Sequence, residues 1–259
     1  MSRLHLTFAC GGTTLAGTLD TAPSKNGLLL VTGGNEVRSG AFSGQAALAA
    51  RIAKAGFPVF RFDRRGVGDS GGENRGFRRS RTDIEAALAA FRAMAPQVQR
   101  VVGFGNCDAA SALMLGKGAG CDALVLSNPW TIEGAGGDTP LPTAVRTRYA
   151  EKLKNPKELL RLVSGRVNLG KLAKGLVQAA KPKAAPTTLS GEIAAGLAAF
   201  DGPVRILLAD ADRTAQAFAE TWDANDPRLR RCERASHAWI EPHARAFLDA
   251  QLLEMLRTR

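Results

Sequence analysis

Short apolar runs alternate along the chain with longer segments whose apolar residues recur every three or four positions. Runs of the first kind cover 28–32, 57–62, 101–104, 123–126 and 204–208, and their composition is typical of buried strands. Helical periodicity covers 43–55, ended by Gly56, and 81–94, stopped before Pro96. The alternation predicts an α/β fold with a mostly parallel, twisted sheet and helices on both faces.

Both ends of the chain add elements to this sheet. The segments 4–8 and 14–19 flank Gly11 and Gly12 and predict a hairpin. Toward the other end, the pattern predicts a helix over 214–222, a polar edge strand over 228–233 and a closing helix over 242–256. We therefore expect a hairpin at the start of the sheet and a polar edge strand near its end.

The strand rhythm is interrupted between residues 131 and 200. This segment is cationic, and it shows helical periodicity over 145–154, 156–163 and 169–180 before a Lys-Pro-Lys-Ala-Ala-Pro linker. In an α/β chain, an insertion of this size is typical of a helical cap over the carboxyl ends of the strands, where ligands bind. We predict a core of residues 1–130 and 201–259 and a helical cap insertion of residues 131–200.

Composition limits the class of protein. The 259 residues, 45% of them hydrophobic, are enough for one main domain with a large core. The four cysteines show no C-x-x-C spacing, which argues against zinc and against a disulfide framework. We predict no metal and no cofactor. No apolar run reaches the length of a membrane span, and residues 1–8 show no continuous apolar h-region of the kind found in signal peptides, so we expect a cytoplasmic protein.

The net charge of +11 is carried mainly by arginines, many of them in patches over 75–81 and 228–234. Such patches attract anionic partners over a long range, but they are more typical of a solvated, arginine-rich surface. No nucleic-acid motif and no interleaved aromatic platform accompanies them, so we expect no nucleic acid partner.

A sharp strand-to-helix corner lies at Cys107. The apolar run of Val101, Val102 and Phe104 stops at Gly105 and turns at once into an alanine-rich helical pattern. Gly105 and Ala109 are small, as a strained turn of the type G-x-nucleophile-x-G requires, and a helix N-terminus favours the thiolate. The same pattern suits a small buried cysteine at a strand–helix junction, and the local sequence leaves both interpretations open.

Two further groups follow in an order that suits a catalytic triad. Asp212 and His237 each follow a later strand of the same sheet, which gives the order nucleophile, acid, histidine. We predict that Cys107 attacks an acyl carbon, that His237 handles its proton and that Asp212 orients the ring. Asp210 stays open as the alternative acid.

An oxyanion hole is predicted from backbone N–H groups. Asp108 follows the nucleophile, and the Gly34–Asn35 region follows a central strand, so both can supply a donor. The polar, glycine-rich stretch 63–72 is also close to a strand end, but its Asp and Arg residues are more typical of a loop braced by ion pairs.

With these residues in place, the chain resembles the α/β-hydrolase superfamily over essentially its whole length. Within it, five stretches resemble the hydrolase family associated with the exosortase A system, type 1. They are Asp63-x-Arg65-Gly66-x-Gly68-x-Ser70, Gly105-Asn-Cys107-Asp-Ala-Ala-Ser111, Asn128-Pro-Trp130, Asp212-x-Thr-Ala-Gln216 and Ser236-His237. The resemblance implies a role beside the machinery of bacteria that make exopolysaccharide. The cysteine elbow is also similar to that of dienelactone hydrolases, which implies ester or lactone cleavage, although Ala109 and the long cap depart from that pattern.

Two hypotheses of function follow. The first is a hydrolase that cleaves a small-molecule carboxylic ester or thioester through a covalent acyl-enzyme on Cys107. The second is a weakly catalytic or non-catalytic protein that binds an anionic glycan or protein through its cationic cap. The sequence gives neither the acyl group, the leaving group nor the oligomeric state.

Overall fold

A computed structural model describes residues 2–133 and 187–258. Within these ranges eight strands form one sheet. The strands are β1 (Arg3–Cys10), β2 (Thr13–Asp20), β3 (Asn26–Val31), β4 (Val59–Phe62), β5 (Arg100–Asn106), β6 (Ala123–Ser127), β7 (Val204–Ala209) and β8 (Leu229–Cys232).

The strand order in the sheet is β1-β2-β4-β3-β5-β6-β7-β8. The opening hairpin pairs antiparallel, and β2 also pairs antiparallel with β4. Every other neighbouring pair is parallel. The predicted α/β fold with a mostly parallel sheet is confirmed, and so are the hairpin and the strand β8 at the far edge.

Six α-helices flank the sheet in the described ranges. They are α1 (Gly44–Lys54), α2 (Arg81–Met94), α3 (Asp108–Leu115), α4 (Thr188–Ala198), α5 (Arg213–Thr221) and α6 (Pro242–Arg257). The bounds of α2 are those predicted. Those of α1 and α5 differ from the predicted bounds by one residue at each end, and α6 differs by one residue at its C-terminal end. The periodicity of the apolar residues therefore located these helices well.

Two clusters of buried side chains fill the space on the two faces of the sheet. One joins α2, α3, α4 and α5 to the sheet through residues such as Phe60, Phe91 and Phe218. The other joins α1 and α6 to it through Leu48, Phe104 and other apolar residues. Parallel strands covered on both faces have to be apolar throughout, which is why β3 and β6 are continuous apolar runs.

The helix α4 lies inside the range predicted for the cap, yet its apolar face belongs to the core. Leu189, Ile193 and Leu197 are buried in the first cluster. A Cβ atom on Gly196 would lie 2.3 Å from the carbonyl oxygen of Met114, so α4 packs very closely on the end of α3. The helices predicted over 145–154, 156–163 and 169–180 lie outside the described residues.

Ion pairs and hydrogen bonds brace the polar stretch 63–72, as predicted. Asp63 is buried, pairs with Arg38 and accepts a hydrogen bond from the backbone N–H of Asp69 at 3.0 Å. Arg65 donates to both carboxylate oxygens of Asp83. These contacts fix the loop after β4 at the same sheet edge as the candidate site.

Among the helices that the structure describes, none is both long and apolar enough to cross a membrane.

Candidate active site

Cys107 occupies the turn between β5 and α3. Its backbone has φ 63° and ψ −129°, a conformation that L-residues rarely adopt and that stores strain. The turn is possible because residue 105 has no side chain: a Cβ on Gly105 would lie 2.6 Å from the carbonyl carbon of Ala109. The side chain is thereby presented at the carboxyl edge of the sheet, the edge where parallel α/β sheets bind ligands.

Cys107 differs from the other cysteines in its surroundings. It is partly exposed, whereas Cys10, Cys121 and Cys232 are buried. Burial is the main cause that raises the pKa of Cys10 and of Cys232, and it raises the pKa of Cys121 to about 12. These three thiols are therefore poor nucleophiles at neutral pH, since the thiolate is the reactive form.

Asp212 and His237 lie in contact at the same edge. The ring nitrogen Nδ1 of His237 is 2.8 Å from Oδ2 of Asp212, and the Asp212 side chain is only 7% exposed. Asp210, the alternative acid, lies apart from the ring and pairs with Arg231 at 3.0 Å. The structure thus brings Asp212, and not Asp210, to the histidine.

The pKa of His237 is raised from the ordinary 6.5 to about 10. The hydrogen bond to Asp212 is the largest cause, followed by a hydrogen bond between the ring and Cys107, while burial acts in the opposite direction. Both partners favour the charged ring because each can carry a negative charge. Cys107, His237 and Asp212 therefore form one connected set.

The predicted oxyanion donors lie beside the elbow, but they differ in availability. The N–H of Gly34 donates to Oδ1 of Asp108 at 2.5 Å, so a carboxylate occupies it. In the part of the chain that the structure describes, the backbone N–H groups of Asn35 and Asp108 have no acceptor. The side chain of Asn35 accepts a hydrogen bond from Asn74 at 2.8 Å.

Arg64 ties the loop after β3 to the elbow helix. Its guanidinium donates to the carbonyl oxygen of Gly34 and lies 3.5 Å from Oδ2 of Asp108. A Cβ on Gly33 would lie 2.7 Å from both the carbonyl oxygen of Asn106 and Oδ1 of Asp108. Glycine at position 33 therefore permits the close approach of this loop to the turn at Cys107.

A buried polar network supports the histidine loop from below, and the sequence interpretation gave it no role. Ser127 donates to Oδ1 of Asn106 at 2.8 Å, and Asn128 donates to the same oxygen at 3.0 Å. The amide of Asn106 in turn donates to the carbonyl oxygen of His237 at 3.2 Å. The indole N–H of Trp239 donates to Ser127 at 2.9 Å.

Asn128 extends the network to β7. Its side-chain oxygen accepts a hydrogen bond from the N–H of Ala209 at 2.9 Å, just before the turn that carries Asp212. The signal that could have revealed the network is the pair Ser127–Asn128, two polar residues directly after a buried strand. Among the described residues, no group of three or more His, Cys, Asp or Glu side chains could hold a metal ion.

Comparison with known proteins gives one family. The sequence pattern of the Alpha/beta hydrolase family matches residues 28–250 of the chain. No curated protein matches the sequence.

Several solved structures share the fold. An esterase from Pyrococcus furiosus is 14% identical, with a TM-score of 0.63 over 99% of this chain and 90% of the esterase. The α/β hydrolase GrgF from Penicillium sp. sh18 is 16% identical, with a TM-score of 0.64 over 99% of this chain and 98% of GrgF. A serine hydrolase without a lid from Xanthomonas campestris is 14% identical, with a TM-score of 0.60 over 100% of this chain and 97% of that one. At such identities the likeness establishes the fold.

Proposed function

The chain belongs to the α/β-hydrolase family, and from that premise we propose that it cleaves carboxylic esters or thioesters through a covalent acyl-enzyme on Cys107. The observation that carries the proposal is the contact of His237 with Asp212 at 2.8 Å, together with the hydrogen bond between the same ring and Cys107. The order of these three residues along the chain is that of the family's triads. Its structural neighbour from Pyrococcus furiosus is an esterase, which supports the choice of substrate.

The first step is attack by sulfur. The raised pKa of His237, about 10, means that both ring nitrogens are protonated at neutral pH, so an imidazolium lies beside the sulfur. We propose that the Cys107 thiolate attacks the carbonyl carbon. The π electrons of the carbonyl group move to its oxygen, which becomes the oxyanion of a tetrahedral intermediate. The imidazolium of His237 then gives its proton to the departing oxygen or sulfur as the carbonyl forms again, which leaves a thioester on Cys107.

The second step is hydrolysis of that thioester. Neutral His237 takes a proton from water while the water oxygen attacks the acyl carbon, and the carbon–sulfur bond breaks to release the acid. Asp212 stabilises the imidazolium that forms in this step and holds the ring in one orientation. Both steps need a stabilised oxyanion, for which we propose the free N–H groups of Asp108 and Asn35. Gly34 becomes a third donor only when the Asp108 carboxylate moves away from it.

The test is turnover of p-nitrophenyl acetate. We expect Cys107→Ala and His237→Ala to lose about a thousandfold or more of kcat/KM, because each removes a group on which both steps depend. The matched controls are Cys232→Ala and His243→Ala, which change the same residue types away from the site. Normal turnover by both site variants would leave the binding hypothesis, in which the fold holds an anionic partner without catalysis.

Alkylation tests the state of the thiol independently of turnover. Iodoacetamide is expected to modify Cys107 before the three buried cysteines in the native protein, and peptide mass spectrometry reads the order of modification. In His237→Ala, alkylation at neutral pH should slow, because the charged ring that favours the thiolate is absent. Equal rates in both proteins would contradict the proposed activation of Cys107 by the charged ring.

Three further features of the hypothesis are proposals that rest on the sequence. We propose that residues between β6 and α4 cap the site and choose the acyl group. The link to exosortase and exopolysaccharide systems rests on the resemblance of the five stretches named above. A reducing compartment, and thus the cytoplasm, is proposed because all four cysteines are free thiols.

A further inference from the structure

A cavity lies beside the histidine loop, on the face of the sheet that α1 and α6 cover. Its volume is about 250 Å³, and its apolar wall is formed by Leu48, Phe104, Trp239 and Leu248. Two of the side chains that line it are apolar yet exposed, Phe42 at 99% and Ile240 at 58%. Large apolar groups so exposed next to a cavity are typical of a ligand site.

The backbone is strained on both sides of this cavity. Phe42 has φ 50° and Trp239 has φ 55°, in the left-handed region that bulky residues avoid. Such a conformation is costly for a bulky residue, and such positions cluster at ligand clamps. The indole is held there by its hydrogen bond to Ser127 and by stacking on Phe247 with centroids 5.9 Å apart.

Apart from the His237 ring, the charges around the cavity cancel. Arg51 is held by both oxygens of Asp249, at 2.6 and 2.9 Å. Glu36 and Arg245 also line the cavity and carry opposite charges. The rest of the lining is therefore neutral, and with its apolar wall it favours an uncharged, apolar occupant, since burying a charge there would be costly.

The position of the cavity relative to the triad decides which half of a substrate it can hold. His237 and Asn106 line it, whereas Cys107 does not. In the proposed mechanism the acyl carbon is bonded to Cys107, and the leaving oxygen or sulfur receives its proton from His237. The part of the substrate that lies against His237 and away from the sulfur is therefore the leaving group.

From this geometry we infer that the cavity beside His237 binds the leaving group of the substrate, an uncharged apolar alcohol, phenol or thiol of about one ring in size. A cavity of about 150 Å³ holds benzene, so about 250 Å³ admits a benzene ring with a short substituent. This inference rests on the proposed function, because it needs a leaving group that His237 protonates.

The experiment varies the leaving group and keeps the acyl group constant. Benzyl acetate and ethyl acetate release alcohols of similar acidity and give the same acetyl-enzyme, so their kcat/KM ratio reports only recognition of the leaving group. Ala47 lines the cavity from an exposed position of α1, and Ala47→Phe adds a ring there. Ala50→Phe is the matched control, because it makes the same change in the same helix outside the cavity lining.

We expect Ala47→Phe to lower the ratio of kcat/KM for benzyl acetate to kcat/KM for ethyl acetate by about tenfold or more. Ala50→Phe should leave this ratio unchanged. The rate of acetyl-enzyme hydrolysis, measured after a burst of p-nitrophenol, should be the same in wild type and both variants. The preference between ethyl acetate and ethyl hexanoate should also stay the same. An unchanged benzyl to ethyl ratio, or a changed acyl-chain preference instead, would overturn the inference.

Failure of the proposed function gives a different result. In that case p-nitrophenyl acetate would leave no acetyl group on Cys107 by mass spectrometry, and wild type would turn over neither acetate. Acetylation of Cys107 with no effect of Ala47→Phe on the ratio would retain the enzyme and remove the leaving-group cavity.

Discussion

Asp212 takes part in two structures at once. Its carboxylate holds the ring of His237 at 2.8 Å and also accepts hydrogen bonds from the N–H groups of Thr214 and Ala215, both at 3.2 Å, as the N-cap of α5. The cap fixes the carboxylate, so the ring meets an acceptor that is already oriented. One residue thus couples the stability of a helix to the geometry of the site.

The two roles of Asp212 can be separated by substitution. Asn caps helices about as well as Asp, so Asp212→Asn is expected to keep the cap and to lose only the stability that comes from the charge beside His237, while kcat falls by about a hundredfold or more. Asp212→Ala should lose similar activity and about 1 kcal/mol of stability in addition. Urea denaturation and p-nitrophenyl acetate turnover measure the two effects. Equal stability of the Asn and Ala variants would show that the cap contributes nothing.

The pKa of His237 gives a second prediction at this scale. We expect its ring to titrate near pH 10 in NMR spectra, and in Asp212→Asn the pKa should fall further than in Cys107→Ala, because Asp212 is the larger cause. The folded-state pKa lies above the ordinary 6.5, so this contribution to stability is complete below 6.5 and is lost as the pH rises through about 10. His243→Ala serves to assign the resonances. A midpoint near 6.5 in wild type would contradict the imidazolium assigned to the resting site.

At this scale the sequence predicts positions better than contacts. Residues that follow parallel strands must meet at one sheet edge, so Cys107, Asp212 and His237 could be placed together from the strand order alone. The choice between Asp210 and Asp212 depends on where each side chain points in the short turn after β7, and the sequence does not give that direction. The pair Ser127–Asn128 signals polar groups at the end of β6, but the contacts of Asn128 with Asn106 and Ala209 could not be predicted, because a polar residue after a strand has no pattern that names its partner.

At the scale of elements, the elbow depends on close contact between β5 and α3. We expect Gly105→Ala to destabilise the protein by about 1–3 kcal/mol or more, because its Cβ would meet backbone atoms of Ala109 and Ala110 at 2.6–2.7 Å. Backbone atoms cannot yield as a flexible side chain does. Thermal or urea unfolding measures the loss.

Gly191→Ala is the matched control for this glycine. It lies in α4, where nothing stands within 4 Å of an added Cβ, and Ala in a helix is more stable than Gly by about 0.5–1 kcal/mol. The two substitutions should therefore shift stability in opposite directions. Loss of stability in Gly191→Ala equal to that in Gly105→Ala would mean that the tight turn is not the cause.

Elements could be predicted wherever apolar periodicity is strong, yet no separate helix is predicted at α4. Leu189, Ile193 and Leu197 recur every four residues, which is a helical signal, but they lie within the range predicted for the cap, directly after a long cationic segment. The pattern of one helix does not say which apolar surface it covers. Packing on α3 through Gly196 became visible only in the structure.

At the scale of the whole molecule, the two core clusters and the site belong to one sheet. The strand order places β5 in the interior of the sheet, so the turn at Cys107 is supported on both sides. The loops that bring Asn35, Asp212 and His237 all leave the same edge. A site assembled from several loops over one rigid sheet can change its substrate without a change of fold, because the loops vary and the sheet does not.

The ends of the long segment between β6 and α4 lie close together. Thr187 Oγ1 donates to the carbonyl oxygen of Thr131 at 3.4 Å, and the N–H of Leu189 donates to the carboxylate of Glu133 at 2.9 Å. A short Gly-Ser linker from Glu133 to Thr187 can therefore replace residues 134–186 with little strain on the flanking chain. We expect such a variant to unfold cooperatively, with a stability close to wild type, since α4 and the sheet remain.

The excision also tests the proposed cap and its boundary. If residues 134–186 choose the acyl group, the shortened protein should still turn over p-nitrophenyl acetate but should lose wild-type discrimination between acetate and hexanoate esters. A longer deletion, 134–198, is the control: it removes Leu189, Ile193 and Leu197, and each buried aliphatic side chain contributes about 1.5–3 kcal/mol, so this variant should unfold. Urea titration followed by ester assays distinguishes the two variants. If both variants unfold, residues 134–186 are needed for the core. If the shorter deletion folds and its discrimination between acyl groups is unchanged, the acyl group is chosen elsewhere, because the loops at the carboxyl edge of the sheet would then make every contact with the acyl chain.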